Sequence, residues 1–218
     1  MKTPFADLST VQRNKLYDLL GVHIYKYRKN DEILQTIKNE NIICIILDGY
    51  AQLMYVEYNG NEIVLENLYK DSVFGTYISA TNDANTQIIA REETEVVIIN
   101  YKNLFNPYNY EHKYYNIFVT NLFDIINNKM KEKNNRIRIL EKKQIRDKLL
   151  EYFEIEYERT HTATLYPPPL KDLADYLAVN RSAMFRELKH LKEERFIQIR
   201  DKKIILLNRQ KSYDADLI

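Results

Sequence analysis

The segment VNRSAMFRELKHLKEERF, which begins at position 179, places hydrogen-bonding side chains at the start of a predicted helix. Arg181 and Arg186 carry planar guanidinium groups, whose donors match the paired acceptors of a guanine edge or of a phosphate. Ser182 can bond to either kind of acceptor. Because Met184 and Leu188 form the apolar face of the same helix, these polar side chains are expected on its open face.

A second predicted helix is needed to hold the first one in place. Residues 170–177 (LKDLADYL) carry a short apolar face, and Ala174 supplies a small residue where two helices can cross. Residues 178–179 are predicted to form the turn, and Asn180 is predicted to cap the following helix. This is the helix-turn-helix pattern. The segment FIQIRDKKIILLN (196–208) is predicted to add two short strands as a wing.

Positive charge is concentrated in the C-terminal third of the chain. Between Arg159 and Lys211 there are twelve lysines and arginines against six aspartates and glutamates, although the whole chain has a net charge of only +1. Such a basic module suggests a polyanionic partner. In a helix-turn-helix the second helix enters the major groove of DNA with its N-terminus first, so Arg181 and Arg186 are predicted to read bases, and Ser182 is predicted to contact a base or a phosphate. The residues predicted to contact phosphates are Asn180, Lys189, His190, Lys192, Lys202 and Lys203. The alternative is a sensor or adaptor whose winged helix contacts another protein.

The N-terminal half of the chain has the pattern of short strands. Residues 42–47 (IICIIL) form an apolar run, and residues 51–58 (AQLMYVEY) are predicted to place Leu53 and Tyr55 on one face of a strand and Met54 and Val56 on the other. NGN at 59–61 predicts a tight two-residue hairpin turn, after which residues 62–69 return as a strand. EVVIIN at 95–100 predicts a last strand. Short strands separated by turns predict an antiparallel sandwich or barrel.

A long helix is predicted from about Glu111 to Leu140, because no proline or glycine interrupts this range and its apolar residues recur at steps of three and four. A helix of this length spans about 45 Å, which favours pairing with a second copy over packing on a small domain alone. An intrachain helix is the alternative, because the polar stretch NNKMKEKNN (127–135) weakens the apolar stripe. The residues predicted to face the partner are Phe118, Leu122, Ile125, Ile126, Met130 and Ile137.

Several classes of function are excluded by motif and composition. The chain has no glycine-rich phosphate loop, no paired histidine–carboxylate metal motif and no nucleophile motif, so it is not expected to be an enzyme. A single cysteine, Cys44, excludes a four-cysteine cluster held by one chain. No apolar run approaches the roughly 18 residues of a membrane helix, and the N-terminus has no apolar signal core. A cytoplasmic protein without a membrane partner is therefore expected.

The order of these parts resembles the cyclic-AMP receptor protein/FNR (CRP/FNR) family of bacterial transcription regulators. The resemblance rests on ILDGYAQLMYVEYNGNEIVLENLYKDSVFG (46–75), ILEKKQIRDKLLEYF (139–153) and LADYLAVNRSAMFRELKHLKEERFI (173–197). It implies an α+β protein that binds a two-fold-symmetric DNA operator as a homodimer, with RNA polymerase as a further partner. The implied domains are an antiparallel β-roll, like the jelly roll of cyclic-nucleotide-binding domains, that senses an effector, a dimerisation helix and a winged helix-turn-helix, at residues 1–108, 109–140 and 141–218.

The resemblance also assigns residue roles and shows departures from the family pattern. Arg181, Ser182 and Arg186 occupy the family's base-reading positions. Ser182 stands where the cyclic-AMP receptor has a glutamate, so that receptor's operator preference is not expected intact. Thr76 replaces the family's ribose-binding glutamate, and residues 84–85 (Ala-Asn) replace its phosphate-binding Arg-Ser pair. A phosphodiester needs a cation or several aligned donors, so an effector other than a cyclic nucleotide is expected.

The sequence leaves open the identity of that effector and also the alternative that there is none, with activity set by the amount of protein. The residues predicted to line its pocket are Gly75, Thr76, Tyr77, Asn85 and Tyr115. No cofactor is predicted. The alternative, a haem sensor, would take its axial ligand from His23, His112, Met54 or Cys44, although no spacing among these residues supports it.

Overall fold

The computed structural model describes residues 3–33, 41–76, 78–79 and 85–207. The chain divides into two compact units, Met1–Asn128 and Lys129–Ile218. Helices and antiparallel sheets are both present, so the predicted α+β class is confirmed. Within the described residues, no helix is both long and apolar enough to cross a membrane.

The first unit is a roll of antiparallel strands with helices beside it. Its strands are β1 (His23–Tyr27), β2 (Glu32–Ile33), β3 (Ile42–Asp48), β4 (Tyr50–Val56), β5 (Glu62–Tyr69), β6 (Val73–Gly75), β7 (Thr86–Ala90) and β8 (Thr94–Asn100). Its helices are α1 (Thr10–Leu20), α2 (Tyr101–Leu104), a 3₁₀ helix (Pro107–Glu111) and the first part of α3 (Lys113–Glu141). The strands form two sheets, in the orders β1-β8-β3-β6 and β2-β7-β4-β5.

Strand β3 is buried on both faces. Ile42, Cys44 and Ile46 point into the core between the two sheets, whereas Ile43 and Ile45 pack in a second core with α1 and α3. Successive side chains of a strand alternate between its faces, so a strand covered on both sides needs a continuous apolar run. This double burial explains the IICIIL sequence.

The predicted hairpin between β4 and β5 is present, but its turn differs from the two-residue turn expected from NGN. The N–H of Gly60 donates to the carbonyl of Glu57 (2.9 Å), and the N–H of Glu57 donates to the carbonyl of Asn61 (2.8 Å). Gly60 has a φ of 83°. The loop is therefore a three-residue turn whose last residue takes the left-handed conformation, a geometry that favours glycine at this position.

The second unit contains the C-terminal part of α3 and a helical core with a small sheet. Its further elements are α4 (Ile145–Thr160), β9 (Thr164–Leu165), α5 (Leu170–Leu177), α6 (Arg181–Glu193), β10 (Ile197–Arg200) and β11 (Lys203–Leu206). Its core contains side chains from α4, α5, α6 and the strands, among them Leu149, Leu173, Met184, Leu188 and Ile204.

Strand β9 is an element that the sequence did not predict. Leu165 and Thr164 pair with Ile204 and Ile205 of β11. The buried Leu165 side chain joins the core of the second unit. Two residues are too short for a detectable alternation pattern, so the strand is defined by its partner and not by its own sequence.

Candidate nucleic-acid interface

Helix α6 is the element that carries the predicted base-reading residues. The side-chain oxygen of Asn180 accepts hydrogen bonds from the backbone N–H groups of Ser182 (2.9 Å) and Ala183 (3.2 Å). These bonds satisfy two of the N–H groups that the first turn of a helix leaves unpaired. The N-terminus of α6 is thus fixed by its cap, and Asn180 acts as the N-cap that the sequence predicts.

The two faces of α6 separate as the sequence predicts. Met184 and Leu188 are buried in the core of the second unit, whereas Arg181, Ser182 and Arg186 are exposed. Lys189, His190 and Lys192 extend the exposed face toward the C-terminal end of the helix. The structure therefore brings the predicted base-reading residues together at the N-terminal end of one helix, where they are open to a ligand.

Helix α5 and a tight turn set the direction of α6. Ala178 ends α5 with a φ of 50°, and the N–H of Val179 donates to the carbonyl of Ala174 (3.0 Å). Such a left-handed residue closes a helix by satisfying its last carbonyls. Lys148 of α4 donates to the carbonyl of Leu177 (3.0 Å), which ties the end of α5 to α4. Together these contacts fix α5 relative to α6 and α4.

The wing is a hairpin with a two-residue turn. Arg200 pairs with Lys203, which leaves only Asp201 and Lys202 between β10 and β11. Both turn residues have positive φ, 46° and 63°, and this geometry matches the right-handed twist of a hairpin. Lys203 lies over the ring of Tyr166, with 5.3 Å from its Nζ to the ring centroid. The two predicted phosphate-contacting lysines thus lie at the tip of the wing.

The charges on this surface are unevenly neutralised. Lys189 lies 3.7 Å from a carboxylate oxygen of Glu193, and His190 lies 3.9 Å from one of Glu187. By contrast, within the residues that the structure describes, no ion pair neutralises the side chains of Arg181, Arg186, Lys192 and Lys202. An exposed cation without a protein partner keeps its charge available for an anionic ligand.

An ionic network that the sequence analysis missed fixes α6 to α4. The guanidinium of Arg146 donates to Glu194 (2.5 and 3.0 Å) and to Glu187 (3.3 Å), and it lies 5.0 Å from the ring centroid of Phe196. The hydrogen bond and charge of Arg146 lower the pKa of the Glu194 carboxyl. The partners of Arg146 are more than forty residues away in sequence, and no local pattern reveals such a pair.

We expect Arg146→Ala to destabilise the protein by about 1–2 kcal/mol, because it removes a bidentate ion pair and a cation–π contact that are only partly exposed. Urea unfolding followed by circular dichroism measures this loss. Since the folded-state pKa of Glu194 is lowered, the ion-pair contribution is present at neutral pH and disappears as the pH falls through that pKa. The difference between the variant and the parent should therefore shrink in acid.

Arg159→Ala is the matched control for this prediction. Arg159 also forms an ion pair, with Glu156 on its own helix, but its side chain is 69% exposed. Its replacement should cost less than about 0.5 kcal/mol. Equal losses for the Arg146 and Arg159 variants would contradict a structural role for the Arg146 network.

The residues predicted to face a second copy divide between two environments in α3. Phe118, Leu122 and Ile125 are buried within the first unit of the same chain, packed against α1 and β3. Met130 and Ile137 are instead 58% and 53% exposed. Because a side chain buried in its own chain cannot meet a partner, the first three residues are corrected from dimer contacts to intrachain core.

The exposed apolar positions of α3 follow a coiled-coil spacing. Phe123, Met130 and Ile137 are exposed and succeed each other at steps of seven, and Leu140 is exposed three residues after Ile137. The half-buried Ile126 occupies the same relative position after Phe123. These are the a and d positions of a heptad repeat, which Lys133 interrupts once. Phe123 was missed in the sequence analysis, although the seven-residue step from Phe123 to Met130 is present in the sequence, and Leu140 was not among the residues predicted to face the partner.

The residues predicted to line an effector pocket have different surroundings. Tyr115 is 1% exposed, and its hydroxyl donates to the carbonyl of Leu104 (2.6 Å), so it belongs to the core. Gly75 has a φ of 140°, and a Cβ built there would lie 2.2 Å from the carbonyl oxygen of Ile42. Thr76 accepts a hydrogen bond from the N–H of Ile42 (3.2 Å). Glycine and threonine therefore hold β6 against β3 at this point.

Asn85 and Tyr77 were also predicted to line the pocket. The carbonyl of Asn85 accepts from the N–H of Val56 (2.9 Å), which ties it to β4. Tyr77 lies outside the described residues. Because Tyr115 is enclosed in the core and Thr76 and Asn85 contact different strands, the assignment of these residues to one pocket stays a prediction.

Three of the residues considered as haem ligands have surroundings that the structure describes. Met54 is buried, and its sulfur accepts from a guanidinium nitrogen of Arg91 (2.8 Å). Cys44 is fully buried, and this burial raises the pKa of its thiol. His112 stacks on Tyr114 with ring centroids 5.2 Å apart. In the described ranges, no group of three or more His, Cys, Asp or Glu residues is arranged to hold a metal ion.

The fold of the chain matches those of solved CRP/FNR regulators. A variant of CprK complexed with OCPA has a TM-score of 0.59 at 17% identity, and the match covers 89% of each chain. A CooA mutant from Carboxydothermus hydrogenoformans has a TM-score of 0.54 at 18% identity, covering 94% of this chain and 89% of that one. No protein-family model and no curated protein matches the chain. The predicted resemblance is thus confirmed at the level of the fold.

Proposed function

We propose that this protein is a transcription regulator of the CRP/FNR type, which binds a two-fold-symmetric DNA operator as a homodimer. The observation that carries the proposal is the exposed N-terminal face of α6, where Arg181, Ser182 and Arg186 stand together beside a wing tipped by Lys202 and Lys203. The likeness to solved regulators supports the same reading. Helix α6 would enter the major groove and present its first turn to the bases.

The contacts divide into those that select a sequence and those that add affinity. The guanidinium groups of Arg181 and Arg186 would bond to the O6 and N7 atoms of guanine, which offer two acceptors in one plane. Lys192, Lys202 and Lys203 would contact phosphates and release counterions. The cap of α6 supports this division, because Asn180 uses its side chain on the protein backbone and the base-reading side chains stay free of that task.

The proposed dimer rests on the heptad positions of α3. Phe123, Met130 and Ile137 would pack against the same residues of a second copy, since they are large apolar side chains left exposed in one chain. A pair of long helices would set the separation of the two α6 helices. Successive major grooves on one side of DNA are about 34 Å apart, so only a dimer with this separation can fill both half-sites.

The first unit would sense an effector and shift this pairing. A cyclic nucleotide is not proposed, because neither arginine nor lysine occurs between Phe74 and Ala90 to receive its phosphate. The nearby guanidinium of Arg91 donates to Gln52 (2.7 Å) and to Met54. By resemblance to the family, RNA polymerase would be the protein partner on DNA, and the cytoplasm the location.

A salt titration on a labelled random-sequence duplex tests the proposal. If a dimer engages Lys192, Lys202 and Lys203 of both chains, six phosphates are neutralised, and the logarithm of the binding constant should fall with the logarithm of salt with a slope of about −5. Lys202→Gln should reduce the magnitude of this slope by about 2. Lys15→Gln, an exposed lysine on α1, should leave it unchanged. Affinity that is independent of salt would favour the adaptor alternative instead.

A further inference from the structure

A cavity of about 660 Å³ lies inside the second unit, between α6, the wing and the proline segment Pro167–Pro169. We call it the wing groove. Its floor is apolar: Leu188 and Ile204 are 2% exposed, whereas Phe185 and Ile199 are 42% and 38% exposed. An open concave surface made of large apolar side chains is the usual form of a small-molecule site, and such sites measure about 300–1,000 Å³.

The rim of the wing groove is cationic. Arg181, Lys189, Lys192 and Lys202 line it, and no aspartate or glutamate does among the described residues. Lys189 shares its charge with Glu193, but the other three cations form no ion pair within the described part of the chain. The guanidinium of Arg181 lies 5.6 Å from the ring centroid of Phe185, so charge and apolar surface meet at one point.

This combination selects a particular class of ligand. A neutral hydrophobic molecule would fill the floor and remove water from the cations without a counter-charge, which is unfavourable. A small inorganic anion would meet the rim and leave the floor exposed. A molecule with an alkyl chain and one carboxylate satisfies both parts, because the chain buries apolar surface and the carboxylate forms charge-assisted hydrogen bonds.

We propose that the wing groove binds an amphipathic monocarboxylate of the fatty-acid class, and that its occupancy opposes DNA binding. The second part rests on the proposed function, because Arg181, Lys192 and Lys202 are the same side chains that would contact DNA. One set of cations cannot serve both anions. The ligand would therefore act directly on the side chains that contact DNA, without a signal through the β-roll.

Isothermal titration calorimetry of the full chain with decanoate, without DNA, tests the site itself. Decanoate should bind at one site per chain, whereas acetate and decan-1-ol should bind at least roughly tenfold more weakly, since each lacks one half of the recognition. Phe185→Ser and Lys192→Gln should each weaken decanoate binding by roughly tenfold. Tyr58→Ser and Lys15→Gln remove an exposed aromatic ring and an exposed lysine elsewhere, and they should have no effect.

Three outcomes would overturn the site: no heat with decanoate, equal binding of decan-1-ol, or unchanged affinity in both groove variants. Thermal melting of each variant checks that it is folded. Competition with a random-sequence duplex then separates the two proposals. If decanoate fails to bind while DNA binding stays salt-dependent, the groove ligand is wrong and the DNA function stands. If decanoate binds without weakening DNA binding, the opposition between the two ligands is wrong.

Discussion

Glutamate in place of both Met130 and Ile137 is expected to leave the protein monomeric and to lower its affinity for a two-fold operator by about a hundredfold or more. Both side chains are exposed on α3 at positions seven residues apart, where a second copy would bury them in a coiled-coil seam. Two carboxylates on each helix would then face two more across the seam, without a counter-charge. Sedimentation velocity gives the oligomeric state, and gel-shift titration on a selected operator gives the affinity.

The matched control places the same two charges beside the seam. Asn127 and Asn134 are also exposed on α3 and also seven residues apart, but they correspond to e positions of the heptad, where glutamate can pair with a basic residue of the partner. Asn127→Glu with Asn134→Glu should therefore remain dimeric and bind DNA. A dimer that survives the Met130 and Ile137 changes would contradict the proposed seam, provided that circular dichroism shows both proteins folded.

The division of α3 shows where sequence periodicity stops being informative. Steps of three and four predict that a helix has apolar faces, and the helix is present at Lys113–Glu141. These steps do not show which face packs within the same chain and which face stays exposed to a second copy. Phe118 and Leu122 are buried against α1 and β3, and Phe123 is exposed, although all three are large apolar residues in one short stretch. Only the placement of the rest of the first unit distinguishes them.

Helix α6 could be predicted more fully, because the residues that define its start and its two faces are close together in sequence. The cap by Asn180, the apolar face through Met184 and Leu188, and the exposed arginines all follow from spacing within one helix. By contrast, the ion pairs of Arg146 with Glu187 and Glu194 join residues that are far apart in sequence. Likewise, nothing local indicates that the Phe185 ring lines a groove with the wing. Such contacts depend on how the helices and strands pack against each other, and this packing cannot be recognised from the local spacing of residues in a single sequence.

Arg186→Ala and Arg181→Ala are each expected to reduce the preference for a selected operator over random DNA by roughly tenfold or more per half-site, because each removes a two-acceptor contact to guanine. Lys202→Ala should weaken binding to both duplexes by the same factor, since a phosphate contact carries no sequence information. The operator can be obtained by selection from a random pool with the parent protein. Fluorescence anisotropy on both duplexes at one fixed salt concentration gives the ratio.

Arg186→Lys makes the comparison sharper because it keeps the charge and removes the planar fork. Lysine supplies a point charge that cannot present two donors in one plane. Its variant should therefore bind random DNA as the parent does, with the same salt slope, and should lose most of the preference for the selected operator. An unchanged preference, or a loss that is equal on both duplexes, would show that Arg186 contacts phosphate and that base reading lies elsewhere. The fold of α6 is not at risk in this test, because Arg186 is exposed and outside the helix's buried face.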